Sequence, residues 1–343
     1  MIRVQNIYYM LAYAFQILHE KGYRDIATED FENAGELLAT ILCRGVSVQI
    51  KRGLNRQYIL KEESLPSPKG KILVGESIKT QSIRKKQLVC DYDDFSVNAY
   101  PNRIIKTTLE LLLRADISKS RKKAIQKLLI FFDDVVTLDI HNINWDLQYN
   151  RNNQTYQMLI SVCRLILKGL LQTTADGSTR IMDYADDMTE AKLYEKFILG
   201  YFQREHPEIK AYSPQIAWQV SDGYRTLLPT MQSDVVISSK ATKKTLIIDA
   251  KYYSHNMQIK APYNTQTLHS ANLYQIFTYV KNWNAAPDEE VSGMLLYART
   301  DDVIQPDNDY QMSGNQISVK TLDMNCDFAV IAAQLDKIAE RIK

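Results

Sequence analysis

Two aspartates and a lysine in the C-terminal half have the types and spacing for phosphoryl chemistry. Asp234 lies in Met231-Gln232-Ser233-Asp234-Val235-Val236-Ile237, and Asp249-Ala250-Lys251 closes the apolar run Leu246-Ile247-Ile248. Both stretches read as strands, and the short, Lys-containing spacer 238–244 reads as a hairpin turn, so the two are expected to be antiparallel neighbours. Antiparallel pairing sets the start of the first strand against the end of the second, which brings Asp234 to Asp249. Asp249 and Lys251 are two residues apart and share a face. Two carboxylates and an ammonium arranged this way suit Mg2+-dependent phosphodiester hydrolysis. The carboxylates hold the ion with part of its water shell retained, and the ion polarises a phosphoryl oxygen and lowers the pKa of bound water. The lysine can orient or deprotonate that water, or offset developing charge.

The tripeptide alone is not diagnostic, because an ordinary ion pair at a strand end also produces Asp-x-Lys. Two features add weight. An unpaired Asp249 in an otherwise apolar strand is costly to bury, so it needs a partner or a metal. The helix containing Asn272–Tyr279 also places Gln275 and Tyr279 four residues apart on one face, where they can reach the lysine or a phosphate. Plain helix packing for Tyr279 and a solvated Gln275 remain the alternative. Glu195, on the helix before the sheet, would be a third acidic group, although an exposed helix glutamate is the simpler reading.

The elements that position these residues follow from periodicity. Helices are expected over 7–18, 33–43, two within 98–130, 154–171, 191–202, 270–281 and 328–342. Asn98 or Asn102 is the expected cap of the first helix in 98–130. Val46-Ser47-Val48-Gln49-Ile50 alternates as a strand does, Gln57-Tyr58-Ile59-Leu60 looks like its return, and Leu65-Pro66-Ser67-Pro68-Lys69-Gly70 is a loop. Further short strands fit 71–74 and 87–92. The polar stretch Gln172–Arg180 suggests a boundary loop. Strands are then expected at 215–220, 228–238, 245–251 and 293–297.

The chain has 343 residues, enough for two domains, with 45% hydrophobic and 24% charged residues, as in an ordinary globular protein. Residues 1–165 carry 24 Lys and Arg against 18 Asp and Glu, a net of +6, and the remainder carries 18 against 22, a net of −4. The front half therefore favours a polyanion modestly, while the back half holds acidic groups for a metal. Cys43, Cys90, Cys163 and Cys326 show no CxxC spacing, and the five histidines supply no zinc pattern. The apolar stretch 6–18 is too short to span a bilayer and lacks a signal-peptide cleavage site, so a cytoplasmic protein without a membrane partner is expected. The absence of GxxxxGK[ST] argues against a nucleotide bound on this chain.

Asp234, Asp249-Ala250-Lys251 and the Gln-x-x-x-Tyr helix together resemble the PD-(D/E)xK nuclease superfamily. Longer stretches are similar to the McrC family, the nuclease subunits of McrBC-type restriction systems directed at modified cytosine. These are Val4-Gln5-Asn6-Ile7-Tyr8-Tyr9-Met10-Leu11-Ala12-Tyr13-Ala14, Lys69-Gly70-Lys71-Ile72, Asn102-Arg103-Ile104-Ile105-Lys106-Thr107-Thr108-Leu109 and Ile248-Asp249-Ala250-Lys251-Tyr252-Tyr253. The resemblance implies an α+β chain. Residues 1–175 would form a helical, finger-like partner-binding domain with a small β-barrel-like insert at about 45–95. Residues 176–343 would form an α/β nuclease domain with a central mixed sheet. It also implies Asp234, Asp249 and the Ala250 backbone as ligands of Mg2+ (or Mn2+), with Lys251 and Gln275 catalytic and Tyr279 and Glu195 carrying less weight. The implied partners are an McrB-like AAA+ GTPase hexamer and double-stranded, modified DNA. Lys51, Arg52, Lys69, Lys71, Arg84, Lys85 and Lys86 are then expected to contact partner or DNA. A nuclease of the same fold acting in repair or defence without that GTPase is one alternative. A non-catalytic AAA+ activator is another, and the intact Asp, Asp and Lys speak against it.

Overall fold

The computed structural model describes residues 4–15, 31, 34–149, 154–176, 187–260 and 265–343. In chain order its elements are α1 (Val4–Phe15), α2 (Ala34–Arg52), β1 (Gln57–Leu65), β2 (Lys71–Ile72), α3 (Val74–Lys79), β3 (Leu88–Ser96), α4 (Tyr100–Leu112), α5 (Lys119–Leu129) and α6 (Gln154–Asp176). There follow α7 (Asp187–Glu205), β4 (Lys210–Tyr212), β5 (Gln215–Ile216), β6 (Met231–Gln232), β7 (Val235–Ser239), β8 (Lys244–Lys251), β9 (Gln258–Lys260) and β10 (Thr265–Thr267). The chain closes with α8 (Ser270–Asn282), β11 (Glu290–Ala298), β12 (Asn308–Met312), β13 (Asn315–Leu322) and α9 (Phe328–Glu340). None of the described helices is long and apolar enough to cross a membrane.

These elements form two compact units, one made of Gly35–Asp183 and the other of Met1–Ala34 with Tyr184–Lys343. The expected division at residue 175 is therefore corrected at the N-terminus, because α1 packs with the C-terminal unit. Its Tyr13 ring meets Phe197 at 5.9 Å, and Tyr9 stacks on Phe328 at 4.0 Å. The buried Asn6 amide donates to the Met324 and Cys326 carbonyls, both at 2.8 Å. Gly200 lies against the Tyr13 carbonyl so closely that any Cβ would collide with backbone, which lets α1 and α7 touch. The end of the first expected helix, residues 16–18, lies outside the described residues.

In the Gly35–Asp183 unit, the alternation at Val46–Ile50 belongs to the last turns of α2 and not to a strand. Leu42, Val46 and Gln49 recur at helical spacing and are all buried, and Gln49 Nε2 donates to Thr155 Oγ1 at 2.7 Å. The β-rich insert is an open antiparallel sheet in the order β1-β3-β2, not a barrel. Three strands leave two edges, and the strand expected at 71–74 is shortened to Lys71–Ile72, with Val74 opening α3. Neither expected asparagine caps α4, whose N-cap is Ala99. Buried Asn102 instead donates to the Asn55 and Val97 carbonyls at 2.8 Å each, and Asn98 Oδ1 accepts from Val136 N. Ser118 caps α5 by accepting from Arg121 N. The proposed boundary loop is helical as far as Asp176, where α6 ends, and residues 177–180 lie outside the described residues.

The other unit is built on a six-stranded mixed sheet in the order β12-β13-β11-β8-β7-β4. β8, β11 and β13 run parallel, while β7, β4 and β12 run antiparallel to their neighbours. Helix α8 connects β8 to β11 and packs on one face, over Val236, Ile247, Leu295, Ile317 and Val319. On the opposite face α7 packs against β8, β7 and β4, and α9 against β13. With both faces covered, β8 reads Leu-Ile-Ile rather than alternating. Gly293 in β11 explains how close α8 sits. A Cβ there would come within 2.8 Å of Ile276 and Val280, both on α8.

Candidate active site

The stretch 228–238 is two strands and not one. The chain leaves the small β5–β6 pair and joins the large sheet at Ser233–Asp234, so Asp234 stands at a corner immediately before β7. Ser233 secures that corner through N and Oγ, both bonded to the Pro214 carbonyl at 3.2 Å. Val235 is paired with Ile248 in the antiparallel β7–β8 register. Asp234 is thereby brought to the end of β8, as expected, and its Oδ2 accepts from Ala250 N at 2.7 Å.

Asp249 is 1% exposed. Its Oδ2 lies 2.7 Å from Lys251 Nζ, yet neither carboxylate oxygen accepts a well-aligned hydrogen bond. Lys251 Nζ also donates to Gln275 Oε1 at 3.1 Å. Gln275 Nε2 donates to the Tyr279 hydroxyl at 2.8 Å, which in turn donates to the Gln232 carbonyl at 3.0 Å. Helix α8 is thus tied to both acidic segments. Gln275 is not simply solvated, and buried Tyr279 has a polar duty besides packing.

The electrostatics follow from burial. Asp234 is pushed up to about 8, first by burial and then by the charges of Asp249 and Glu195. Burial likewise raises Asp249, against the pull of Lys251. Burial alone would lower Lys251, but the Asp249 charge and contact outweigh it and keep the ammonium protonated. Glu195, on α7, is half-buried and not the exposed helix glutamate of the simpler reading. Its carboxyl is raised by burial, opposed by Lys251 and reinforced by Asp249, which places it within electrostatic reach of both.

No group of three His, Cys, Asp or Glu side chains among the described residues is close enough to hold a metal. Asp249, whose buried oxygens lack a well-aligned donor, and the neighbouring Asp234 nevertheless fit Mg2+, which keeps several waters and binds through one or two carboxylates. A cation there would offset the burial that raises both carboxyls.

The basic residues expected to make contacts are dispersed within the Gly35–Asp183 unit. Lys51 and Arg52 occupy the last turn of α2. Lys69 sits 4.0 Å over the Tyr92 ring, and Lys71 is opposite Asp91 in β2. Arg84 and Lys85 end a short 3-10 helix followed by Lys86, whose φ is 57°. A different feature of that unit went unread, namely exposed Tyr58, Leu60 and Phe95 on the open sheet, with Tyr58 directly across from Phe95. Asn272 was also passed over. It donates to the Tyr297 hydroxyl at 2.9 Å and accepts from Tyr253 at 3.3 Å, bracing the strand ends beside the site. Its spacing of three from Gln275 was the available signal.

The family model "McrBC 5-methylcytosine restriction system component" matches residues 3–298. The "Type IV methyl-directed restriction enzyme EcoKMcrBC" of Escherichia coli strain K12 is 28% identical over 342 residues, covering 97% of this chain and 96% of that protein. A solved assembly of Thermococcus gammatolerans McrB AAA+ hexamers with bound McrC has a TM-score of 0.47 at 16% identity, covering 98% of this chain and 76% of the matched one. A second structure, of the Thermococcus gammatolerans McrBC complex, has a TM-score of 0.39 at 16% identity, covering 59% and 58%. Those two likenesses are too weak to place residues. The family match spans most of the chain, and the chain belongs to the McrBC 5-methylcytosine restriction system component family.

Proposed function

We propose that this chain is the DNA-cleaving subunit of an McrBC-like restriction complex, a Mg2+-dependent endonuclease that also stimulates GTP hydrolysis by an McrB-type AAA+ partner. One observation carries the nuclease reading: a buried and a half-buried carboxylate share the end of β8 with an ammonium, and the Asp249 oxygens lack well-aligned donors. That arrangement is costly for folding alone and suits a divalent cation. Family membership supports the partner and the modified double-stranded DNA target.

Asp234 and Asp249 would hold the ion, with the Ala250 backbone carbonyl as a further ligand, and the bound ion supplies Lewis acidity and a more acidic water. Lys251, held as an ammonium, orients the attacking water and offsets charge on the phosphate, a better match to its environment than proton abstraction. Gln275 aims Lys251 through its amide oxygen, and Tyr279 fixes the amide orientation from the other side. Glu195 adds negative potential that favours a cation at the site. In the other unit, exposed Tyr58, Leu60 and Phe95 have the character of an interface core, with the dispersed basic residues as its charged surround.

The test is cleavage of a methylated duplex by the full chain with its McrB-type partner, GTP and Mg2+, comparing wild type with Asp249→Asn. We expect the variant to lose cleavage and to retain stimulation of GTP hydrolysis. Undiminished cleavage would remove Asp249 from the mechanism.

A further inference from the structure

The sheet edge that carries the carboxylates also carries a second built pair. β8 and β11 run parallel with Lys251 opposite Tyr297, so the loops that follow them leave side by side. His255 lies on the first loop and Asp302 on the second, with imidazole Nδ1 3.0 Å from Asp302 Oδ1. Asp302 is itself held, because its Oδ2 accepts from Asn256 N at 3.3 Å and from Thr300 Oγ1 at 2.9 Å.

The pair is not needed to join the loops. Fully buried Asn256 already does so, donating to the Ala298 carbonyl at 2.9 Å and to Gln305 Oε1 at 3.1 Å. A pair whose histidine is 75% exposed adds little to that. What the pair does is orient a ring. A carboxylate only accepts, so the contact places a proton on Nδ1 and leaves Nε2 as the outward nitrogen. Between Asp302 and a second anion, the imidazolium donates from both nitrogens.

Distance restricts what that second anion is. His255 is four positions after Lys251, a chain reach of at most about 14 Å. Phosphates follow one another every ~3.4 Å of helix axis along each DNA strand, so His255 lies within a few nucleotides of a phosphate engaged by Lys251. We propose that His255, held by Asp302, is a positioning residue that grips a backbone phosphate of duplex DNA flanking the scissile one. The proposal rests on the nuclease reading above.

Two measurements on the full chain with its partner test it. One is duplex affinity in EDTA across a salt series, and the other is steady-state cleavage in Mg2+. His255→Ala should weaken binding and raise KM about 5- to 10-fold, as expected for loss of one charge-assisted contact, with kcat within about twofold. It should also reduce the slope of log affinity against log salt by about 0.9, the amount for one phosphate contact. His255→Lys should restore both, and Asp302→Asn should give a smaller change in the same direction. Unchanged affinity and slope in His255→Ala, a loss confined to kcat, failure of His255→Lys to rescue, or no duplex binding by wild type would each overturn the proposal. Because the EDTA arm needs no cleavage, a wild type that binds but never cuts would count against the nuclease reading and leave the phosphate contact measured.

Discussion

The two larger sheets of this protein treat polar and apolar residues in opposite ways. The six-stranded sheet is covered on both faces and buries charge, with Asp249 at 1% exposure within an apolar strand. The three-stranded sheet leaves apolar side chains in solvent, with Tyr58 at 74% and Leu60 at 69% exposure. Each departs from what folding stability alone favours, and each departure points to a ligand. On the proposed function, the carboxylates raised by desolvation would take a cation, and the exposed aromatic and aliphatic side chains would meet a protein surface. On that reading the difference separates the chemistry of the molecule from its docking.

The sharpest way to break the comparison is at Asp249. Asp249→Asn should lower Mg2+-dependent cleavage by about 10³-fold or more, the scale on which transition-state charge stabilisation is lost. It should leave the GTPase response of the partner intact, and loss of both activities together would merge the two roles. The converse variant is Tyr58→Asp with Phe95→Asp. If these rings form an interface core, half-maximal stimulation of the GTPase should need about 30-fold more protein, equivalent to about 2 kcal/mol for a hot spot. Thermal stability should hardly change, because the rings are exposed. Normal stimulation would show that the partner contact lies elsewhere. These point substitutions are cleaner than deleting residues 75–87, which would remove buried Ser77, whose hydroxyl accepts from Val89 N at 2.8 Å and anchors β3.

A third variant tests whether the site depends on close packing of α8. Gly293→Ala should destabilise the protein by about 1–3 kcal/mol through overpacking, measured by denaturant unfolding. Cleavage should fall as well, because α8 carries Gln275 to Lys251, and full activity would show that Gln275 need not be held there. The smallest effect concerns pH. Asp234 is raised to about 8 in the folded protein, so the native state holds more protons than the unfolded chain at intermediate pH. Stability from this group is present at low pH and is lost as pH rises from about 4 toward 8. In EDTA, wild type should lose a few degrees of Tm across that range relative to Asp234→Asn. Saturating Mg2+ should reduce the loss, and identical pH profiles for the two proteins would contradict the raised carboxyl.

Much of the site was legible because it is local. The β7–β8 hairpin places Asp234 opposite Asp249 through a short turn, and the two-residue spacing places Lys251 on the Asp249 face. Gln275 and Tyr279 followed from a four-residue helical step. Glu195 was undervalued because its approach depends on how α7 packs against the sheet, which no local pattern records. Val46–Ile50 was misread because a five-residue alternation fits a strand and also the face of a helix, and only the burial of Val46 and Gln49 distinguishes them. The β12–β13 hairpin was overlooked although Ser313-Gly314, both at positive φ, marks its turn. Edge strand β12 is largely polar and lacks the apolar alternation that flags a strand.

By itself the sequence determined the two carboxylates, the lysine, the helix that supports them and the family to which the chain belongs. These depend on residue identity and short spacing, which the backbone periods of 2 and 3.6 convert directly into shared faces. Only the tertiary structure decided that α1 belongs with the C-terminal unit, that the insert is an open sheet with exposed rings, that Glu195 lies within electrostatic reach of Asp249 and Lys251, and that His255 meets Asp302. Each of these joins residues far apart in the chain. Burial and contact at such distances arise from packing of whole elements, which local sequence does not encode.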